Sequence, residues 1–260
     1  MAVWLLLLGF IAGIASGMFG IGGGVIIVPV LVALGFTLTQ ATGTSLAALL
    51  APVGIFAVLA YYRAGKLNIA TAAWIACGVI FGAVLGADLA LSLPVETLQQ
   101  LYGVFLLYAG WRFAEPRKWW AEWRGKTPPA PAAAEPTVPL QARWYWLLIL
   151  GIVAGVASGM FGIGGGLIIV PALVSLMGFE QKAATGTSLA VLLLPVSLGA
   201  VWRYYEANLL DIGVAALVAL GLIGGAFAGA RIALSLPSVT IRRLYGLFLF
   251  AIAVRFIFFN

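Results

Sequence analysis

Long apolar runs separated by short polar punctuation dominate this chain. In the first half they predict helices over residues 44–62, 69–90 and 97–112, and in the second half over 187–205, 212–233 and 240–255. Most approach the about 20 apolar residues that a helix needs to cross a bilayer; the last in each half is the shortest. Ahead of each set lies a different pattern. Two apolar arms, 3–18 and 25–36, flank a glycine-rich interruption, and the same arrangement returns from residue 144 onward. The second arm is short for a span, so the pair is read as a re-entrant, broken hairpin with its tip near the bilayer midplane. Two full spans in its place is the alternative. The expected fold is therefore an all-α polytopic membrane protein, each half carrying one Gly-rich hairpin and about three spanning helices.

The halves repeat one another in sequence. Residues 13–24 and 155–166 differ at one position, Ile14 against Val156. Pro29 aligns with Pro171, Thr42-Gly43-Thr44-Ser45 with Thr185-Gly186-Thr187-Ser188, and Pro52 with Pro195. Tyr61-Tyr62 aligns with Tyr204-Tyr205, and Leu101-Tyr102-Gly103 with Leu244-Tyr245-Gly246. The expected division is a first membrane repeat over 1–113, a linker over 114–143, and a second repeat over 144–260. The linker opens with Trp and basic residues suited to the headgroup level, then turns Pro/Ala-rich. The first apolar arm resembles the core of a signal peptide but lacks a basic start, and its copy lies mid-chain, so it is expected to be mature structure.

Composition agrees with the pattern. The chain is 63% hydrophobic and 8% charged, which fits a membrane protein and no ordinary soluble domain. Its net charge of +6 is scattered over short loops, as topology requires, rather than gathered for nucleic acid. The loop after residue 62 is basic through Arg63 and Lys66, whereas its counterpart carries Arg203, Glu206 and Asp211. The next pair of loops is biased the other way, Asp88 and Glu96 against Arg231, Arg242 and Arg243. Equivalent loops with opposite bias should face opposite sides, so the repeats are expected to be inverted, with the linker cytoplasmic and both termini outside. With no His and one Cys, neither a metal centre nor a nucleophile–base pair is expected, and no cofactor. Cys77 is read as a buried apolar filler. An enzyme is not expected.

The candidate chemistry lies at the interruptions. Glycine adopts positive φ and lets backbone approach a ligand, and free amides ahead of a helix favour anions. Paired helix breaks in two halves are the usual pointer to a transporter's binding site. The candidate substrate-binding residues are Ser16, Phe19, Gly20, Gly22, Gly23 and Gly24 with Ser158, Phe161, Gly162, Gly164, Gly165 and Gly166. Tight helix packing is the competing explanation for the glycines. Thr44 and Ser45, with Thr187 and Ser188, join as hydroxyl donors; helix capping explains them equally well. Pro29 and Pro171 place the start of the second arm near themselves. Pro52 and Pro195 are expected to kink spanning helices. Gly78, Gly82 and Gly86, with Gly221, Gly225 and Gly229, read as a small-residue packing seam. Ser92 and Ser235, each two before a Pro, read as helix starts. Asp88 aligns with Arg231 and is able to pair with it.

The doubled Gly-x-x-Ser-Gly-x-x-Gly-x-Gly-Gly-Gly motif and the doubled Thr-Gly-Thr-Ser run resemble the sulfite exporter TauE/SafE family, also called the toluene sulfonate uptake permeases. The resemblance covers both halves outside the linker. It implies a multi-pass permease of the bacterial cell (inner) membrane that moves sulfite, sulfonates or similar anions. The expected mechanism is alternating access around amides and hydroxyls, with the lipid bilayer and a small anion as partners and no nucleic acid. A passive anion channel and a non-transporting scaffold remain the alternatives, and the sequence leaves the oligomeric state open.

Overall fold

A computed structural model describes residues 2–114 and 143–236 of the chain. The first half comprises α1 (Ala2–Phe19), α2 (Gly24–Ala33), α3 (Leu38–Leu50), α4 (Ile55–Arg63), α5 (Ile69–Ser92) and α6 (Val95–Ala114). The second repeats the order with α7 (Trp144–Phe161), α8 (Gly166–Met177), α9 (Gln181–Leu193), α10 (Leu198–Glu206) and α11 (Ile212–Ser235). No strand occurs among the described residues. The expected helix over 240–255 and the Trp-rich linker lie outside them.

Among the described residues four helices, α1, α5, α7 and α11, are long and apolar enough to cross a membrane; counting each bent pair α3–α4 and α9–α10 as one span raises this to six. Their outer faces carry lipid-compatible side chains such as Ile11, Phe81, Leu85, Val153 and Leu220. Exposed Trp74 and Trp144 pack together at 5.5 Å between ring centroids, as interfacial tryptophans do.

The sequence explains where the helices stop. α3 starts at Leu38 because Thr37 and Gln40 form a reciprocal cap: Gln40 N donates to Thr37 Oγ1 at 3.2 Å and Thr37 N to Gln40 Oε1 at 3.0 Å. Thr42 to Ser45 therefore lie inside α3 and do not cap it. Pro52 and Pro195 do not kink a continuous helix either. Each ends one, because the residue before a proline is pushed out of helical backbone: Ala51 and Leu194 both sit at ψ 149. The chain resumes at a bend of 54° in the first half and 49° in the second. The expected single helices over 44–62 and 187–205 are thus broken pairs.

α2 begins at Gly24, not near Pro29, so residues 25–28 are helical rather than extended. At 10 residues, α2 reaches about 15 Å, about half a bilayer core. α1, in contrast, is 18 residues and passes as a span. Ser92 and Ser235 end α5 and α11 instead of starting helices; each hydroxyl donates back to the carbonyl three residues earlier, at 2.8 Å.

The long helices pair across the halves. Gly9, Gly13 and Gly17 of α1 touch the backbone of α11 at Val218, Leu222 and Ala226 in turn. Gly78, Gly82 and Gly86 of α5 touch α7 at Leu148, Ile152 and Val156. Residue numbers rise together in both seams, so each pair runs parallel. A side chain at any of these glycines would collide with the partner's carbonyls, which is why the glycine ladders are there. Cys77, between Ala76 and Gly78 on this helix, faces outward and is exposed, contrary to the expectation of burial. Lipid and protein core are equally apolar, so composition does not separate them.

Candidate functional site

The two Gly-rich interruptions meet. Gly20, Gly22 and Gly23 have φ of 74, 82 and 82, and Gly162, Gly164 and Gly165 have 69, 79 and 76, so only glycine fits all six without strain. Gly20 turns the chain out of α1, which leaves the carbonyl of Gly17 without its usual amide. Tyr61, fully buried at the end of α4, supplies the missing donor at 3.0 Å. Tyr204 does the same for Gly159 at 2.8 Å. Both tyrosines were visible in the repeat alignment as a duplicated Tyr-Tyr within apolar sequence, but nothing local announced a helix-end cap.

Contacts between the tips are reciprocal. Ser45 Oγ donates to Gly162 O at 2.8 Å, and Ser188 Oγ to Gly20 O at 2.7 Å. Gly24 lies against Gly162 O and Gly166 against Gly20 O, so tightly that a methyl on either would overlap the carbonyl. A Cβ on Gly22 would come within 3.5 Å of Gly164 Cα, and the reverse holds. Leu192 and Leu49 close over these two glycines. Thr44 Oγ1 accepts from Asp211 N and Thr187 Oγ1 from Asn68 N, each at 3.1 Å, fixing the starts of α11 and α5.

The breaks leave amides over. The N–H groups of residues 21–25 and 163–167 are buried, and no acceptor for them lies among the described residues. The first acceptor bonds of α2 come from Ile26 and Ile27 to Gly23 O, at 3.0 and 3.1 Å, and α8 repeats this from Ile168 and Ile169 to Gly165 O. Buried backbone N–H groups are almost always paired, by protein, water or ligand. Two sets of such groups, each at the positive end of a helix, favour an anion there.

The sequence-derived candidates fall into two groups. Ser16 and Ser158 are buried one turn before each break, and the glycines form the breaks themselves. Thr44, Ser45, Thr187 and Ser188 instead hold the scaffold, with their hydroxyls engaged across the halves. Phe161 packs on Tyr102 and Phe105 of α6, at centroid distances of 5.3 and 5.4 Å, and Phe19 is likewise buried. Asp88 pairs with Arg203 at 2.9 Å rather than with Arg231, which lies over the Phe227 ring at 4.5 Å. Asp88 and Arg203 are each 45% exposed, so this is a surface ion pair at the end of α5 and not a buried proton relay.

These features define a multi-pass helical membrane protein whose halves meet at paired helix breaks. Residues 5–256 match the family model for the sulfite exporter TauE/SafE, and the chain belongs to that family. It is a membrane transporter, and its helical spans fit the cell (inner) membrane. It is 29% identical over 244 residues to the probable membrane transporter protein YunE of Bacillus subtilis, covering 88% of this chain and 86% of the relative. It is 29% identical over 210 residues to the probable membrane transporter protein MJ0441 of Methanocaldococcus jannaschii, covering 78% and 72%. A probable membrane transporter protein of Xylella fastidiosa (strain Temecula1) is 29% identical over 253 residues, covering 95% and 91%. No solved structure matches the chain.

Proposed function

We propose that this protein is a secondary transporter for small sulfur-containing anions such as sulfite or organosulfonates, held between the two Gly-rich tips by backbone amides. The carrying observation is the paired set of buried N–H groups at the adjoining tips that find no acceptor among the described residues. Amides without a fixed cation suit a carrier. They stabilise an oxyanion through dipoles yet release it more readily than a buried arginine would.

The repeats are inverted in this reading, with the linker cytoplasmic, both termini outside, and the halves divided at 114–143. Loop charge supports it, and so do contacts around α9. Lys66, just before α5, pairs with Glu180, while Lys182 donates to Leu234 O at 2.9 Å, near the end of α11. The start of α5 and the end of α11 thus share one neighbourhood, as oppositely directed helices do. Alternating access then exchanges which side the tips open to. The close approach of Gly22 and Gly164, where a Cβ added to either would come within 3.5 Å of the other's Cα, and the leucines over them favour a gated carrier over a standing channel.

The test is a thermal-shift panel on detergent-purified protein with sulfite, thiosulfate, sulfate, taurine, sulfoacetate and an aryl sulfonate, with chloride as control. A ligand of the folded state raises Tm by mass action. The expected result is a shift with at least one sulfur oxyanion that is lost in the Ser16→Ala/Ser158→Ala variant. A well-folded protein stabilised by none of them contradicts the proposal.

A further inference from the structure

Thr42 lies one turn before Ser45 in α3 and is fully buried, yet its hydroxyl has no hydrogen-bond partner among the described residues. Buried hydroxyls are nearly always satisfied, and one that is not calls for a physical reason. Its position supplies one. Ser45, on the same face of α3, clips the carbonyl of Gly162, and Thr42 packs on that glycine directly. A Cβ at Gly162 would meet Thr42 Cα at 2.9 Å and Thr42 O at 3.1 Å. Thr185 stands to the other tip in the same relation, 3.1 Å from Cα and 3.0 Å from O for a Cβ at Gly20. Thr185 is 1% exposed. In the same Thr-Gly-Thr-Ser runs, the second threonine and the serine are engaged in scaffold bonds. In the first run Thr42 is the hydroxyl left over, on the stretch of α3 that packs against the Gly162 tip, and Thr185 holds the equivalent place against the Gly20 tip.

We propose that Thr42 and Thr185 are substrate-binding residues, each hydroxyl donating to an oxygen of the oxyanion held at the tips. This rests on the reading of the tips as the anion site. The chemistry adds something the amides lack. An N–H only donates, whereas a hydroxyl donates or accepts as its proton rotates. A site with both accepts a deprotonated oxyanion and its singly protonated form, so binding need not be coupled to stripping the last proton from the substrate.

The substitution that isolates this role is Thr→Val, which keeps the shape and removes the hydroxyl. A merely structural hydroxyl would lower stability on removal. An unpartnered one would not, because replacing it with a methyl relieves a buried polar group of its desolvation. Thr42→Val and Thr185→Val proteins are therefore expected to melt, without ligand, at or above the wild-type temperature. Their affinity for sulfite, measured by equilibrium binding of radiolabelled sulfite, is expected to fall about 10- to 100-fold, the worth of a hydrogen bond to a charged group. Thr42→Ser and Thr185→Ser, which restore the hydroxyl, are expected to bind within about threefold of wild type, well inside the range of one such bond. Should a Val variant fail to fold, Thr42→Ala against Thr42→Ser makes the same comparison. Sulfite binding by wild type together with unchanged affinity in the Val variants overturns this inference and leaves the tip site standing. No binding of sulfite or any other panel oxyanion by folded wild type overturns the tip site itself, and the inference with it.

Discussion

The tyrosine caps make the sharpest stability prediction. Gly20 leaves helical backbone at φ 74, so the Gly17 carbonyl has no amide from the next turn and depends on the Tyr61 hydroxyl at 3.0 Å. Tyr61→Phe retains the buried ring and removes only the donor, stranding a carbonyl in a dry interior. Stranding a buried acceptor costs about 1–3 kcal/mol. Tyr204→Phe repeats the experiment at Gly159, where the bond is 2.8 Å. For chains of about 150–250 residues, Tm moves by about 2–4 °C per kcal/mol, so each variant is expected to melt several degrees lower. The neighbouring Tyr62 and Tyr205 are exposed, and Tyr62→Phe and Tyr205→Phe serve as controls with little effect. Because the two tips touch, the double variant should lose less than the sum of the singles, by more than about 0.5 kcal/mol. Thermal unfolding in one detergent, followed by intrinsic fluorescence, reads all of these. If Tyr61→Phe and Tyr204→Phe melt with their controls, the tyrosines do not hold the helix ends, and the structural account of the breaks is wrong.

Other perturbations separate packing from chemistry. Gly24→Ala or Gly166→Ala puts a methyl into a carbonyl of the opposite tip and should force the tips apart, with loss of sulfite binding and about 1–3 kcal/mol of overpacking strain. Gly82→Leu should break the α5–α7 seam and reduce the yield of folded protein, whereas Cys77→Leu, facing outward, should leave yield and Tm unchanged. Asp88→Asn should change Tm by no more than the about 0–1 kcal/mol of an exposed ion pair and leave uptake in proteoliposomes intact; abolished uptake would mean that Asp88 carries a coupling proton. Thr37→Ala removes one cap of α3 and should lower stability by about 1 kcal/mol.

Much of the fold is legible in the residues because lipid leaves few options. Among the described residues, the helices over 69–90, 97–112 and 212–233, the glycine ladders and the Gly-rich breaks appear at the expected places, since each follows from a local requirement on backbone or packing. What was not legible is partnership at a distance. Thr44 and Ser45 read equally well as caps or ligands; their real partners, Asp211 N and Gly162 O, lie more than a hundred residues away. Proline within an apolar run permits a kink or a break, and only the structure shows that Pro52 makes a break. Repeat alignment matches Asp88 with Arg231, yet equivalence within a repeat does not make two positions touch. Thr42, which the cavity-facing reading of its motif passed over in favour of Thr44 and Ser45, is distinguished only once the other hydroxyls are seen to be occupied.

The central claim is that the amides of the two tips receive one oxyanion, and hydrogen–deuterium exchange reads those amides directly. The measurement compares purified protein with and without saturating sulfite, following peptides that cover residues 20–25 and 162–167. The account predicts slowed exchange at both tips together, with little change along the α5–α7 seam. Sulfite that raises Tm while exchange at both tips stays the same would place the anion elsewhere and contradict the account.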